Sequence, residues 1–165
     1  MKSPDVYLKS LEAISFWRKG TNTGLIRFGE LAQEIVDMAP DSPSGYILLG
    51  WYYIDLANIG RSPRESMTKA FELAQKAIAL DDTVAYPYTL LAIIYTVMRK
   101  HEKAIAAGER GVALNPSGAG SHAMLGSALG YAGRLDEDLY HIKQGIRLDP
   151  FPDYMFVFHL GRVYM

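Results

Sequence analysis

The stretches AYPYTLLAIIYTVMRKHEKAIAAGERGVALNP (85–116) and AGSHAMLGSALGYAGRLDEDLYHIKQGIRLDP (119–150) decide the fold of this chain. They close on matching phrases, Val-Ala-Leu-Asn-Pro at 112–116 and Ile-Arg-Leu-Asp-Pro at 146–150, which puts Pro116 and Pro150 34 residues apart. A fixed period of that length is the mark of helical-hairpin repeats. In the first half of the first stretch, Tyr88, Leu91, Ala92 and Tyr95 fall at i, i+3, i+4 and i+7, one face of a helix. Leu125, Gly126 and Leu129 repeat the pattern, and the small residue lets a second helix approach. Arg99-Lys100-His101 and Ala132-Gly133-Arg134 interrupt the periodicity, and Gly133 can take the left-handed conformation that closes a helix. The second helices then stop at Asn115-Pro116 and Asp149-Pro150, because the residue before proline is pushed out of the helical region.

Working outward, residues 5–18 read as a first helix, with Ser3 or Asp5 able to cap it and Pro4 in a favoured early position. A polar break at 19–24 leads to a second helix over 25–38. Its Glu30-Leu-Ala-Gln33 recurs 42 residues later as Glu72-Leu-Ala-Gln75, which places repeats from the N-terminus onward. The second hairpin starts near Pro43 and carries Leu49-Gly50 and Tyr53 where the third carries Leu91-Ala92 and Tyr95. Seventeen positions separate Tyr53 from Ala70, where nine separate Tyr95 from Ala104, so eight extra residues lengthen either the helices or the turn at 58–63. Ser62-Pro63-Arg64-Glu65 fits an N-cap, a proline at N1 and an acid at N3, which restarts the helix at Pro63 and carries it to Leu80.

This grammar resembles the tetratricopeptide repeat, over nearly the whole chain. The resemblance implies an all-α, right-handed α-solenoid of antiparallel helix hairpins, with about nine helices in a single domain over 1–165. The repeats fall at about 5–40, 43–82, 85–118 and 119–152, with a partial one at 153–165. The third and fourth depart from the family pattern. Gly108 and Gly111 stand where a large and a small packing residue are usual, and Asp138 replaces a customary small one. An interior glycine costs about 1 kcal/mol of helix stability relative to alanine, so either locally close packing or a soft repeat is expected there.

The last stretch, with Phe156, Phe158, Leu160, Arg162 and Tyr164, reads as the first helix of a fifth hairpin without its partner. Repeat arrays normally end in a polar cap. An apolar end predicts either a piece of a longer protein or a symmetric pairing of two copies through Phe156, Phe158, Leu160 and Arg162.

Composition narrows the function. The 165 residues include 17 basic and 18 acidic side chains, so the basic footprint of a nucleic-acid binder is missing. There is no cysteine for disulfides, thiolate metal sites or thiol nucleophiles. No run approaches the ~18 apolar residues of a membrane span and the N-terminus lacks a signal-peptide core, so a cytoplasmic location without membrane contact is expected.

Candidate chemical sites fare poorly. His101, His122, His141 and His159 are 21, 19 and 18 residues apart, with no i, i+3 or i+4 pairing for a metal, and the recurrence of His122 and His159 follows the repeat. Asp136-Glu137-Asp138 sits at a helix start, where acids complement the macrodipole. The glycine-rich 117–126 lacks the lysine and third glycine of phosphate-binding loops, and Gly118 and Gly120 read as an inter-repeat turn. No Gly-x-Ser-x-Gly elbow occurs either. No cofactor is expected, and an all-helical enzyme with a groove site is the least favoured reading.

What remains is a surface. In the tetratricopeptide family the first helix of each hairpin lines a concave groove. Carried across, that stripe is Ile47, Trp51, Ile54 and Asp55, then Thr89, Ile93 and Thr96, then Ala123, Ser127 and Tyr131, with Phe158 and Arg162 in the tail. Chaperone-binding members clamp a C-terminal carboxylate with lysine, asparagine and arginine; this stripe offers Arg162 alone. The resemblance thus implies a non-catalytic protein-interaction module holding a helix or extended apolar segment, or pairing with itself. The long second hairpin, the Leu-Gly-Arg-x-Tyr tail and the Pro-Phe-Pro before it also resemble, to a lesser degree, repeat regions C-terminal to bacterial class III adenylate cyclase domains. That likeness implies a regulatory region whose catalytic domain lies elsewhere.

Overall fold

Proline and small-residue placement sets the helix boundaries. The computed structural model describes residues 3–149, which form eight helices and no strand. They are α1 (Pro4–Trp17), α2 (Asn22–Met38), α3 (Pro43–Asn58), α4 (Pro63–Leu80), α5 (Tyr86–Val97), α6 (His101–Leu114), α7 (Ala119–Tyr131) and α8 (Leu135–Leu148). The expected ninth helix, with Phe156, Phe158, His159, Leu160 and Arg162, lies outside the described residues.

Prolines open α1, α3 and α4 at their first position, where the missing N–H costs no hydrogen bond. Thr21 caps α2 by accepting a 3.0 Å bond from Gly24 N, and Ser42 accepts from Ser44 N at the start of α3. Ser3 occupies the cap position of α1 without a capping bond, while Asp5 sits in the first turn. Ser62 also fails to cap α4. It is left-handed, at φ 43° and ψ 58°, so its hydroxyl makes no capping bond. Ser66 Oγ donates instead to the Arg61 carbonyl at 2.9 Å.

The eight extra residues of the second hairpin go mostly into helix. Five helical residues follow Tyr53 where two follow Tyr95, and seven precede Ala70 in α4 where three precede Ala104 in α6.

Every turn inside a hairpin places a left-handed residue two or three positions after its first helix ends: Gly20, Gly60, Arg99 and Gly133, at φ 62°, 80°, 56° and 84°, with Ser62 a second one in the turn before α4. In each of those four, that residue's N–H bonds to a carbonyl three positions back; in the last three of them the next N–H reaches back five, as in a Schellman closure.

The chain divides between Asp82 and Thr83 into two compact units. In the first, α1 packs on α2, α2 on α3 and α3 on α4. Its core gathers Ala13, Phe28 and Leu31, flanked by Phe16, Trp17, Leu48, Trp51 and Tyr52. Ala32 and Ala74, from the recurring Glu-Leu-Ala-Gln, are both fully buried. Close approach is enforced at Gly45, where a Cβ would stand 2.7 Å from the Val36 backbone nitrogen.

In the second unit, α5 packs on α6, α6 on α7 and α7 on α8, and α5 also meets α7. Ala104, Ile105, Leu125, Ala128 and Leu129 form the core, with Tyr95 and Val112 against it. Gly108 and Gly111 are places of close packing: a Cβ on Gly108 would lie 3.0 Å from Leu125 Cα, and one on Gly111 would lie 3.3 Å from Thr89 Cγ2. Gly126 plays the expected small-residue part, with Ile142 and Asp138 of α8 crowding the space a Cβ would take. Asp138 is thereby fully buried, unlike the exposed Asp136 and Glu137 beside it in the first turn of α8.

Candidate functional site

The first helices of the hairpins, α1, α3, α5 and α7, carry the candidate stripe. In the first unit, Ile47 and Ile54 of α3 are buried, Ile54 at 1% exposure, and serve as packing. Trp51 and Asp55, one turn apart, are partly exposed and are brought together by Trp17 of α1. Trp17 Nε1 donates to Asp55 Oδ2 at 2.6 Å, its ring lies 6.2 Å from that of Trp51, and it stacks on Phe28 at 5.9 Å. The Asp55 carboxylate, accepting the indole N–H, fixes the orientation of the Trp17 ring beside Trp51 and Phe28.

In the second unit much of the stripe is buried. Thr89 and Thr96 of α5 are buried, and their hydroxyls donate into their own helix, to Tyr86 O and Ala92 O, both at 2.7 Å. Ala123 and Ser127 of α7 are buried as well. Ile93 stays partly exposed and Tyr131 is 53% exposed. The described stripe residues that are at least partly exposed are thus Trp51 and Asp55 in one unit, and Ile93 and Tyr131 in the other. Thr89, for one, lies against Gly111 of α6, and a one-dimensional stripe cannot distinguish such a packing position from a lining one.

Charge is arranged along the helix surfaces rather than gathered at the stripe. Lys9 of α1 bonds Glu34 of α2, which Arg27 also approaches, and the Lys9 hydrogen bond is the chief reason the Glu34 carboxyl is held below its ordinary range. Glu137 is likewise lowered, first by its hydrogen bond with Arg134, which grips it through two 2.7 Å bonds. Among the described residues no group of three or more acids and histidines could hold a metal ion, and no helix is long and apolar enough to cross a membrane.

One contact escaped the sequence reading. His122 of α7 and His141 of α8, 19 residues apart, meet with their Nδ1 atoms at 2.9 Å. Helical spacing rules inspect one helix at a time, so a pair joined across a hairpin is invisible to them.

No protein-family model matches the chain. Transcriptional regulator HilA of Salmonella typhimurium is 30% identical over 122 residues, 73% of this chain but 22% of the regulator. The chain therefore spans about a fifth of the length of the curated relatives it matches. Among solved structures, TTC0263, a thermophilic TPR protein of Thermus thermophilus, superposes with a TM-score of 0.76 at 19% identity over 98% of this chain and 83% of its own. The second TPR domain of human RPAP3, solved with an HSP70 peptide, gives 0.54 at 22% identity over 72% and 97% of the two chains. Antiparallel helix hairpins with glycine-type closures, proline stops and small residues at the helix crossings, matched along nearly the whole chain by such structures, mean that this chain has the tetratricopeptide-repeat fold.

Proposed function

We propose that the chain is a non-catalytic interaction module that holds a protein segment on the first-helix faces of its hairpins. The observation that carries this reading is the exposure of apolar side chains on these helices within each unit taken by itself: partly exposed Trp51 on α3 in the first, and partly exposed Ile93 on α5 with exposed Tyr131 on α7 in the second. Ile47, Ile54, Thr89, Thr96, Ala123 and Ser127 would shape the surface from beneath. A ligand would be an amphipathic helix or an extended apolar segment, bound by burial. RPAP3, of the same fold, was solved with an HSP70 peptide, which supports peptide capture as a use of this architecture. A cytoplasmic site of action belongs to the same reading.

A second reading is favoured by the match to HilA, of which the chain spans 22%. In it the chain is the repeat region of a larger regulatory protein, as in the expected relationship to cyclases, and works by assembly. Self-association through Phe156, Phe158, Leu160 and Arg162 belongs with this reading.

Selection from a displayed library of random 16-residue peptides tests the first reading. Apolar sequences should be enriched on the native chain and lost on Ile93→Asp with Tyr131→Asp. Equal enrichment on both proteins overturns it. Light scattering over a range of concentrations tests self-association: a dimer that dissociates on Phe158→Ser with Leu160→Ser supports it, and a monomer at all concentrations sinks it.

A further inference from the structure

The His122–His141 contact has a geometry that defines its protons. The ring centroids are 5.2 Å apart and the Nδ1 atoms 2.9 Å. That centroid distance is what the N···N contact plus two imidazole radii make, so the nitrogens lie on the line between the rings and point at one another. Lone pairs converging on a metal would be angled toward a third point instead. This is a straight N–H···N hydrogen bond, and one proton occupies it.

Its direction follows from the other ring nitrogen. His122 Nε2 lies 3.0 Å from the Pro116 carbonyl, which can only accept, so Nε2 carries the hydrogen. Neutral His122 then presents a bare Nδ1, and His141 Nδ1 must donate. A first added proton can go to His141 Nε2, leaving an imidazolium that donates to a neutral ring. A second could only go to His122 Nδ1. There it removes the acceptor and sets two cationic rings edge to edge inside a hairpin where His122 is 8% exposed.

We propose that the His122–His141 pair is an acid-sensitive latch, tying α7 to α8 and to the Pro116 turn while at most one extra proton is bound and forced open by the second.

Among the described residues, few other charges face the pair. On α8, Glu137 lies one turn before His141 and Tyr140 stands edge-on to its ring at 5.1 Å. Asp138 faces Gly126 of α7, Asp149 ends α8, and Lys143 and Arg147 are exposed. On α6, Glu102 and Glu109 act on Arg134 at the start of α8, while Lys103 and Arg110 lie over the Tyr95 and Tyr88 rings of α5. His101 stands at the opposite end of α6 from the Pro116 turn. Neither α5 nor α7 carries a charged side chain beyond His122.

Burial first, then the neighbouring His122, holds His141 below the ordinary imidazole value, and Glu137 opposes them. A lowered histidine means that the folded state binds fewer protons than the unfolded one in acid. Stability is therefore full above the ordinary value of about 6.5 and falls as pH drops below it.

The test is amide hydrogen exchange on the full chain between about pH 7.5 and 5, corrected for the intrinsic pH dependence of exchange. Protection in α7 and α8 should fall by at least about tenfold per pH unit below about 6.5, while α1–α3 keep theirs. His122→Asn retains an acceptor for His141 and cannot take the opening proton, so it should lose one proton's share of that slope, about tenfold per pH unit. His141→Asn still donates to His122 and should keep that share. Equal slopes in the native chain and His122→Asn overturn the latch. Should His122→Asn fail to fold, ring 15N spectra of the native chain decide. His122 Nδ1 should stay unprotonated until the α7 and α8 amide signals change, and protonation of both rings with no such change overturns the proposal.

Discussion

Trp17 Nε1 donates to Asp55 Oδ2 at 2.6 Å, joining residues 38 apart in the chain and tying the first helix of one hairpin to the first helix of the next. The indole stacks on Phe28 and lies tilted at 39° to Trp51, so one side chain of α1 also packs on α2 and α3. Hydrogen bonds with one charged partner contribute more than neutral ones, about 1.5–3 kcal/mol when the partner stays solvent-poor.

Asp55→Ala should therefore destabilise the first unit by about 1.5–3 kcal/mol in urea unfolding. Both tryptophans of the chain, Trp17 and Trp51, belong to this unit, so fluorescence reads it selectively. Emission should move to longer wavelength as Trp17 loosens. An unchanged spectrum together with an unchanged midpoint would show that the bond contributes nothing.

Three glycines within helices should answer alanine differently. At Gly108 the new Cβ meets the Leu125 backbone at 3.0 Å, and overpacking outweighs the helix-propensity gain, for a net loss of about 1 kcal/mol. At Gly111 the obstacle is the Thr89 methyl at 3.3 Å, which can give way, leaving a small net gain of about 0.5 kcal/mol. Gly120 has open space, so the substitution should stabilise by about 0.5–1 kcal/mol. Thermal unfolding of the three variants checks the order.

Arg99 is the one left-handed turn residue of the four that is not glycine. An L side chain there carries a steric cost of about 1–2 kcal/mol that glycine lacks. Arg99→Gly should raise stability by about 1 kcal/mol, somewhat less than the steric cost because glycine loses more chain entropy on folding. A fall in the unfolding midpoint would refute this.

Glu65 and Lys69 pair at 3.1 Å across one turn of α4, and this contact is the chief reason the Lys69 ammonium is raised. Both side chains are well exposed, where water and salt screen the attraction. Glu65→Gln should leave the urea midpoint within replicate error at physiological salt.

Much of the fold was legible. Pro43 and Pro63 open α3 and α4 where the sequence placed them, because a ring-locked φ and a missing N–H suit the first turn of a helix. Gly133 takes the turn conformation expected of it. Arg99 adopts the same conformation without any glycine to announce it, because the hairpin geometry demands a reversal there. Ser62 looked like a cap from its neighbours, but its left-handed backbone turns the hydroxyl away from the helix start. The stripe came from the resemblance to the tetratricopeptide repeat, carried across position by position onto the first helices. Which of its members stay open was not legible: Thr89 and Ala123 are buried, and Tyr131 is not.

The sequence by itself determined the hairpin architecture, through a 34-residue period, proline stops and small residues at the crossings, all of which act within a few turns of the chain. The tertiary structure alone decided that Trp17 finds Asp55, that Asp138 is buried against Gly126, and that two histidines 19 residues apart share one proton. Local rules fix where a helix begins and ends because the backbone must satisfy its own hydrogen bonds. Which side chains then face one another depends on how one helix is rotated and shifted against the next, and no single stretch of sequence holds that information.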